Sequence, residues 1–454
     1  MNINDTIVSQ STPKGVGPTA VIRISGKNSI DIVNNIFPSK DLNKVDSHTL
    51  HFGSIIYDKV IIDEVIISIF KEPRSYTKEN IVEISCHGSE IIIKKIILSL
   101  IDLGARTAER GEFTFRSFLN GNIDLSQAEA VSDLISGKSE NAHKIAINHL
   151  KGVFSEKIKI LRTDLINLSS LLELELDFSE EDVEFANREK LTNLINEIDD
   201  FCKVLIESFK LNNAVKDGIN VIILGKPNVG KSTLLNSLLD DDKAIVSDIP
   251  GTTRDLIEDT ITIGNNIVRF TDTAGLRDTD DKVESIGINK ALEKIKDSSI
   301  ILYVFDLSKT NIKSVEIELS EDYLQNKNLI IIGNKSDLKV ENIITKYFKK
   351  NNFNIMSSMN KKDINKLKNH LNQFIKDNII DDDCEVMINE RHYNTLINVR
   401  KSIDNVKENL ENRSNTDLLA LDIKYALDNL GQITGEVTND EILGNIFSKF
   451  CIGK

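Results

Sequence analysis

Ile219-Asn220-Val221-Ile222-Ile223-Leu224-Gly225-Lys226-Pro227-Asn228-Val229-Gly230-Lys231-Ser232-Thr233 decides the fold of the middle of this chain. The first six residues form an apolar run that reads as a buried strand. The next eight match GxxxxGK[ST], and an apolar helical pattern resumes at Thr233. Strand, loop and helix in that order are the context in which such a loop binds phosphate. Its glycines let backbone N–H groups turn inward, and the helix amino terminus favours negative charge. Lys231 is expected to reach the β/γ phosphates and Ser232 to coordinate Mg²⁺.

Three further stretches support a nucleotide site. Asp272-Thr273-Ala274-Gly275 follows the expected strand Asn266 to Thr271, offering a carboxylate near Mg²⁺ and a glycine N–H for the γ-phosphate. Asn334-Lys335-Ser336-Asp337 follows Asn328 to Ile332. The Asp337 carboxylate can accept from both N1–H and the 2-amino group of guanine, a pair of donors adenine lacks. Met356-Ser357-Ser358-Met359 stands where a backbone N–H would meet guanine O6. Between these lies Gly251-Thr252-Thr253-Arg254, with Thr253 as the expected switch threonine on Mg²⁺. The block therefore reads as a Ras-like GTP-binding α/β domain. Leu276 follows the DTAG where a Ras-like switch carries the glutamine that orients water. Hydrolysis then needs another polar group. Glu284 is the best-placed acid, although it also reads as a solvated residue beside Asp278, Asp280 and Asp281. Asn228 offers an amide oxygen beside the phosphates, either for a monovalent cation or merely to cap the loop.

Outward from this block the pattern is helical on both sides. Leu150, Val153, Phe154, Ile158, Leu161, Leu165, Leu168 and Leu172 form one stripe. Leu191, Leu194, Ile198, Phe201, Leu205 and Phe209 form a second, beyond the acidic stretch Glu180 to Glu184. After the block, Leu396, Val399, Ile403, Val406 and Leu410 form a third. Leu419, Ile423, Leu427 and Leu430 form a fourth, with Gly431 expected to stop it. The economical reading is one helical domain interrupted by an inserted α/β domain; two separate helical domains remain the alternative. Before Phe118, short β-rich runs and a helix from Ser89 to Leu103 predict a further α/β domain. The expected divisions are residues 1–119, 120–216, 217–378 and 379–454.

The 454 residues suit about three domains of roughly 150 residues. No run approaches the ~18–20 apolar residues of a membrane span, and no basic-then-apolar leader opens the chain, so a non-membrane, cytoplasmic protein is expected. Cys86, Cys202, Cys384 and Cys451 form no CxxC pair, which argues against a disulfide framework or a zinc knuckle and for a reducing compartment. With 56 basic against 70 acidic residues, the net charge of −14 excludes a broad basic face for nucleic acid. RNA contact would need a local patch or a partner.

Beyond the nucleotide residues, the whole chain resembles the MnmE (TrmE) family of tRNA-modification GTPases. The resemblance is carried by Asp5-Thr6-Ile7-Val8 through Thr12-Pro13, Val21-Ile22-Arg23-Ile24-Ser25-Gly26, Ser75-Tyr76-Thr77, Val82-Glu83-Ile84 and His87-Gly88. Gly111-Glu112-Phe113-Thr114, Phe118-Leu119-Asn120 and Leu125-Ser126-Gln127-Ala128-Glu129-Ala130 continue it. Ile433-Thr434-Gly435-Glu436 and the closing Phe450-Cys451-Ile452-Gly453-Lys454 are its most specific parts.

The resemblance implies an amino-terminal domain that dimerises the chain and binds a folate, 5,10-methylene- or 5-formyl-tetrahydrofolate. It implies a helical domain built from both flanks of the GTPase domain. It also implies a homodimer working with an FAD- and NADH-dependent partner of the MnmG type, in a heterotetramer or larger complex. Together they add aminomethyl or carboxymethylaminomethyl groups to C5 of the wobble uridine of certain tRNAs. Residue by residue, Arg23, Glu83 and Lys454 match folate contacts, and Asn122 stands where the family commonly has lysine. Asn228, the carbonyls of Ser247 and Ile249, and Thr252 match a K⁺ site; Ser232 and Thr253 match Mg²⁺ ligands. Glu284 matches the catalytic glutamate. The nucleotide site is expected to comprise Asn228, Val229, Gly230, Lys231, Ser232 and Thr233, then Ser247, Asp248, Ile249, Pro250, Gly251, Thr252 and Thr253. Asp272, Thr273, Ala274, Gly275, Asn334, Lys335, Asp337, Ser357 and Ser358 complete it.

Cys451, beside Gly453 and Lys454, is open between a reactive thiolate and a small buried residue. Two other functions compete. A switch that uses GTP to time assembly would usually append a basic RNA-binding module, which nothing here resembles. A folate-dependent transferase in its own right would need a redox cofactor, for which the chain has no motif.

Overall fold

Alternating burial lays the amino-terminal stretch into a six-stranded sheet. The strands are β1 (Ile7–Gln10), β2 (Gly17–Ser25), β3 (Thr49–Tyr57), β4 (Val60–Phe70), β5 (Ile81–Gly88) and β6 (Arg106–Thr107), in the order β3-β4-β5-β2-β1-β6. Only the β1/β6 pair is parallel. Ile22, Ile24, Val82 and Ile84 are fully buried beneath helix Glu90–Asp102, whose Ile93, Ile96 and Leu100 cover that face. Fully burying each such side chain contributes about 1.5–3 kcal/mol. The intervening residues point to the opposite face, and there the register sets Arg23 between Ser9 and Glu83.

The computed structural model describes residues 5–137, 139–177, 188–216, 218–240, 259–271, 295, 298–309, 311–321, 324–325, 327–338, 347, 353–378, 388–411, 416–437, 440–448, 450–451 and 453. Two compact units account for the chain. One joins Met1–Ile135, His149–Ile198 and Asn398–Lys454; the other joins Ser136–Asn148 and Asp199–Ile397.

Within the first unit, helices on either side of the insertion pack together. Phe154, Ile158, Leu165 and Leu172 are fully buried on helix Val153–Asp177, which lies against helix Thr416–Thr434. The latter buries Ile423, Ala426, Leu430 and Ile433, so Ala426 takes the place expected for Leu427, which is half-buried. Gly431 does not stop this helix. It lies inside, where a Cβ would press on Val437 and Arg162, and the helix ends at Gly435 with φ +85°. The N–H groups of Gly435 and Glu436 return to the Gly431 carbonyl at 3.0 and 2.9 Å, the left-handed ending that glycine favours. The acidic stretch Glu180 to Glu184 lies outside the described residues.

The second unit holds another six-stranded sheet, β7 (Ile219–Leu224), β8 (Asp259–Ile263), β9 (Asn266–Thr271), β10 (Ile300–Asp306), β11 (Leu329–Asn334) and β12 (Asn354–Ile355). Its order is β12-β11-β10-β7-β9-β8, parallel except for β8. Every residue of β10 is buried, as a central parallel strand covered on both faces must be. The chain leaves β7 between β10 and β9, and the loop after it opens at the carboxyl edge where ligands of such sheets bind.

Candidate functional site

The loop after β7 turns through two glycines and Asn228, which takes a left-handed φ of +62° that asparagine tolerates better than most residues. A Cβ on Gly225 would strike the Val304 carbonyl, and one on Gly230 would strike the Asn334 amide. Both glycines are therefore required by close approach. Lys231 opens helix Lys231–Asp240, and its ammonium donates to the carbonyls of Gly225 and Lys226, both at 2.9 Å. Ser232 and Thr233 are exposed on the first turn, and Val229 is buried beneath the loop. A hydroxyl exposed at a helix amino terminus suits Mg²⁺ held jointly with phosphate oxygens. Among the described residues no cluster of three or more His, Cys, Asp or Glu forms a metal site of its own.

Asn334, buried at the end of β11, binds two loops together. Its Nδ2 donates to the Val229 carbonyl at 2.8 Å, and its Oδ1 accepts from the N–H and hydroxyl of Ser358 at 2.9 and 2.8 Å. Lys335 has φ +64° and donates from Nζ to the Asn228 carbonyl at 2.7 Å and to Asp306 at 2.8 Å. Burial raises the Asp306 pKa, but hydrogen bonds from Lys335 and Ser308 outweigh it and hold the carboxyl below its ordinary value. Asp337 is exposed one turn onward, while Ser357 and Ser358 are buried. Thus Asn228 to Thr233, Asn334, Lys335, Asp337, Ser357 and Ser358 converge on one edge. Asp306 was not anticipated; its only signal was a carboxylate directly after the apolar run Ile300 to Phe305. Ser247, Asp248, Ile249, Pro250, Gly251, Thr252, Thr253, Asp272, Thr273, Ala274, Gly275, Glu284 and Lys454 lie outside the described residues.

On the open face of the amino-terminal sheet, Arg23 pairs with Glu83 at 2.7 Å, both side chains about one-fifth exposed (19% and 24%). The guanidinium lies 5.7 Å from the Tyr76 ring centre and 5.6 Å from that of Phe113. Tyr76 bonds Thr114 at 2.9 Å, and burial raises its phenol pKa. Asn122 turns its amide to the Tyr76 carbonyl at 2.9 Å and to Ser117 Oγ at 3.2 Å. Its donors therefore serve the scaffold. The closing residues also reach this sheet: the Cys451 carbonyl accepts from Gly111 N at 3.4 Å, and the Gly453 carbonyl from Ser11 Oγ at 3.5 Å. Cys451 is exposed rather than buried, whereas Cys86 is buried and its thiol is pushed up to about 11.

Beneath Arg23 lies an ionic cluster that sequence reasoning missed. Arg116, 1% exposed, contacts Asp5 at 2.8 Å, Glu79 at 3.1 Å and Glu112 at 3.1 Å. Arg106 grips Asp5 and Glu112, each at 2.6 Å. The hydrogen bond from Arg106 is the largest influence holding Asp5 below its ordinary value. Burial pushes Glu112 up, but bonds from Arg106, the Glu109 N–H and Arg116 prevail and leave it lowered. The cluster fixes helix Glu112–Leu119, which carries Phe113 and Thr114. Gly111-Glu112-Phe113-Thr114 was legible as a pattern, but its partners stand far away in sequence.

A family model described as "GTP-binding protein TrmE N-terminus" matches residues 6–122, and one described as "MnmE helical domain" matches residues 125–451. The protein named tRNA modification GTPase MnmE from Flavobacterium psychrophilum is 50% identical over 465 residues, covering 100% of both chains. Its namesake from Flavobacterium johnsoniae is 49% identical over 462 residues, covering 99% of each. That from Cytophaga hutchinsonii is 45% identical over 453 residues, covering 100% of this chain and 98% of its own.

Proposed function

The chain belongs to the MnmE family of tRNA modification GTPases, and from that premise we propose how this GTP hydrolase works. It couples GTP turnover to the addition of an aminomethyl or carboxymethylaminomethyl group at C5 of the wobble uridine of certain tRNAs. It does so in the cytoplasm with an FAD- and NADH-dependent partner of the MnmG type, taking the one-carbon unit from a tetrahydrofolate. The single observation that carries the nucleotide half is the hub at Asn334, which ties the phosphate loop to the Ser357-Ser358 loop. One residue thereby sets the spacing between phosphate and base.

In this reading Lys231 turns from the loop carbonyls to the β/γ phosphates, and Ser232 holds Mg²⁺. Bound there, the metal neutralises charge on the phosphate oxygens. Asp337 accepts the two guanine donors, and the Ser358 region meets O6. Asn228, with Ser247, Ile249 and Thr252, holds K⁺, which supplies the charge an arginine finger brings elsewhere. Glu284 orients the attacking water in place of the glutamine that Leu276 replaces.

In the amino-terminal sheet, Arg23 takes a folate carboxylate and Glu83 accepts from pterin N–H groups. Lys454 completes that site, and Cys451 stands nearby. A homodimer is supported by β3, an edge strand among the described residues, on which Leu50 and Phe52 are 69% and 70% exposed. Ile66, paired with Phe52, extends the same apolar face. Among the described residues no helix is long and apolar enough to cross a membrane. Nucleoside analysis of tRNA from cells lacking the chain tests the proposal. Loss of the C5 aminomethyl-type groups from wobble uridine is expected, and an unchanged nucleoside profile would refute it.

A further inference from the structure

Asn122 leaves an apparent gap in the amino-terminal site, because a neutral amide stands where the resembling family commonly has a lysine. The structure shows a cation immediately beside that position, contributed by a different segment. Lys78 lies in the turn after Tyr76-Thr77, and its Nζ donates to the carbonyl of Gly121 at 2.7 Å. Gly121 directly precedes Asn122, whose own amide is spent on the Tyr76 carbonyl and Ser117. Asn120 fastens the same two segments, donating to the Thr77 carbonyl at 2.7 Å.

Three observations mark Lys78 as more than a surface lysine. It adopts φ +58°, a left-handed conformation that glycine takes without penalty and a branched-chain or long side chain rarely visits. Backbone economy alone therefore does not favour lysine here. No carboxylate pairs with it among the described residues, and its chain neighbour Glu79 is already occupied by Arg116 and by Ser25 at 2.7 Å. Finally, one ammonium N–H is used on Gly121, which orients the group while leaving two donors for a ligand. Tyr76 links the two cations: its ring lies against Arg23 and its carbonyl anchors Asn122.

We propose that Lys78 supplies, from the Tyr76 turn, the positive charge that Asn122 lacks, and that it binds the glutamate carboxylate of the folate. The proposal rests on the folate reading of the Arg23–Glu83 site. It makes Lys78 and Asn122 an exchanged pair, in which a lysine at either position serves the same anion.

Calorimetry on the full chain tests it with two probes, 5-formyl-tetrahydrofolate and the corresponding pteroate, which lacks the glutamate. Lys78→Gly removes the charge and suits the left-handed backbone, so the urea midpoint of that variant should not fall. It should weaken 5-formyl-tetrahydrofolate roughly tenfold, as loss of a charge-assisted hydrogen bond does. Lys78→Arg should retain most of the affinity. The pteroate should bind wild type and Lys78→Gly alike, and Asn122→Lys added to Lys78→Gly should restore folate binding. Wild type and Lys78→Gly binding the folate equally would remove Lys78 from the site and leave the folate reading standing. Equal weakening of both probes would make Lys78 a structural prop and overturn the proposal. A wild-type chain that binds neither probe would overturn the folate reading itself, and this proposal with it.

Discussion

In the inserted sheet the buried hub is a neutral amide, Asn334, while in the amino-terminal sheet it is a charged guanidinium, Arg116, and the two are 2% and 1% exposed. Asn334 fixes backbone, tying the Val229 carbonyl of one loop and the Ser358 N–H of another to one side chain. Arg116 fixes a helix, and through it the aromatic rings around Arg23. Loops that read phosphate through backbone N–H groups need little charge of their own behind them. A site that presents side chains from a sheet face needs a rigid floor, here built by two arginines set among three carboxylates. The energetic consequences differ as well. A buried amide leaves polar groups unsatisfied when removed, whereas a buried guanidinium leaves uncompensated charge.

The largest expected effect follows from that contrast. Arg116→Leu should destabilise the amino-terminal part by about 3–5 kcal/mol, because Glu112 and its companions lose their counter-charge in a buried setting. Urea unfolding followed by a probe in this sheet would measure it, and a loss below that of an exposed ion pair would break the comparison. Asn334→Ala should cost about 2–3 kcal/mol, since the Val229 carbonyl and the Ser358 N–H would both lose their partner. The same variant should weaken GTP binding, whereas Arg116→Leu should not act on GTP directly.

A smaller effect concerns the cation. GTP turnover should be faster in K⁺ than in Na⁺ at equal ionic strength, by roughly tenfold or about 1.4 kcal/mol of barrier. Asn228→Ala should erase that difference, while Glu284→Ala should stop turnover but keep K⁺-promoted association of the GTPase domains. Equal wild-type rates in the two salts would refute the cation site.

The smallest effect is a pH dependence. Asp5 and Glu112 are lowered in the folded protein from ordinary values of 3.8 and 4.5. Their contribution to stability is fully present above those values and is lost as pH falls through the lowered folded ones. Stability measured in urea should therefore decline as pH falls below about 4.5 and on through the lowered folded values. Arg106→Leu, which removes the hydrogen bond central to both shifts, should flatten the decline.

How much was legible in the sequence follows the same line. Ile219 to Leu224 was readable as a strand to the residue because a central parallel strand is largely apolar, and Asn266 to Thr271 was read to the residue despite its polar Asn266, Arg269 and Thr271. Gly225, Asn228, Gly230, Lys231 and Ser232 were readable because a phosphate loop is contiguous in the chain. Asp306 was not, since its meaning depends on Lys335, which reaches it only across adjacent strands. Around Arg23 almost nothing was readable locally: Tyr76, Glu83, Phe113 and Asn122 come from separate elements, and the family resemblance joined only Glu83 and Asn122 to Arg23. Gly431 misled because glycine marks both helix ends and tight crossings, and here close approach to Arg162 and Val437 decided. The strand Ile7–Gln10 escaped because four residues carry too little pattern.

We propose that two differently built sites serve one modification of tRNA. The most direct test complements cells lacking the chain with wild type, Lys231→Ala or Arg23→Ala, and measures wobble-uridine nucleosides by mass spectrometry beside GTP turnover of each purified protein. Wild type should restore the C5 aminomethyl-type groups, and neither variant should. Only Lys231→Ala should lose GTP turnover, so that Arg23→Ala fails with its hydrolysis intact. Full modification by either variant, or loss of GTP turnover in Arg23→Ala, would contradict the claim.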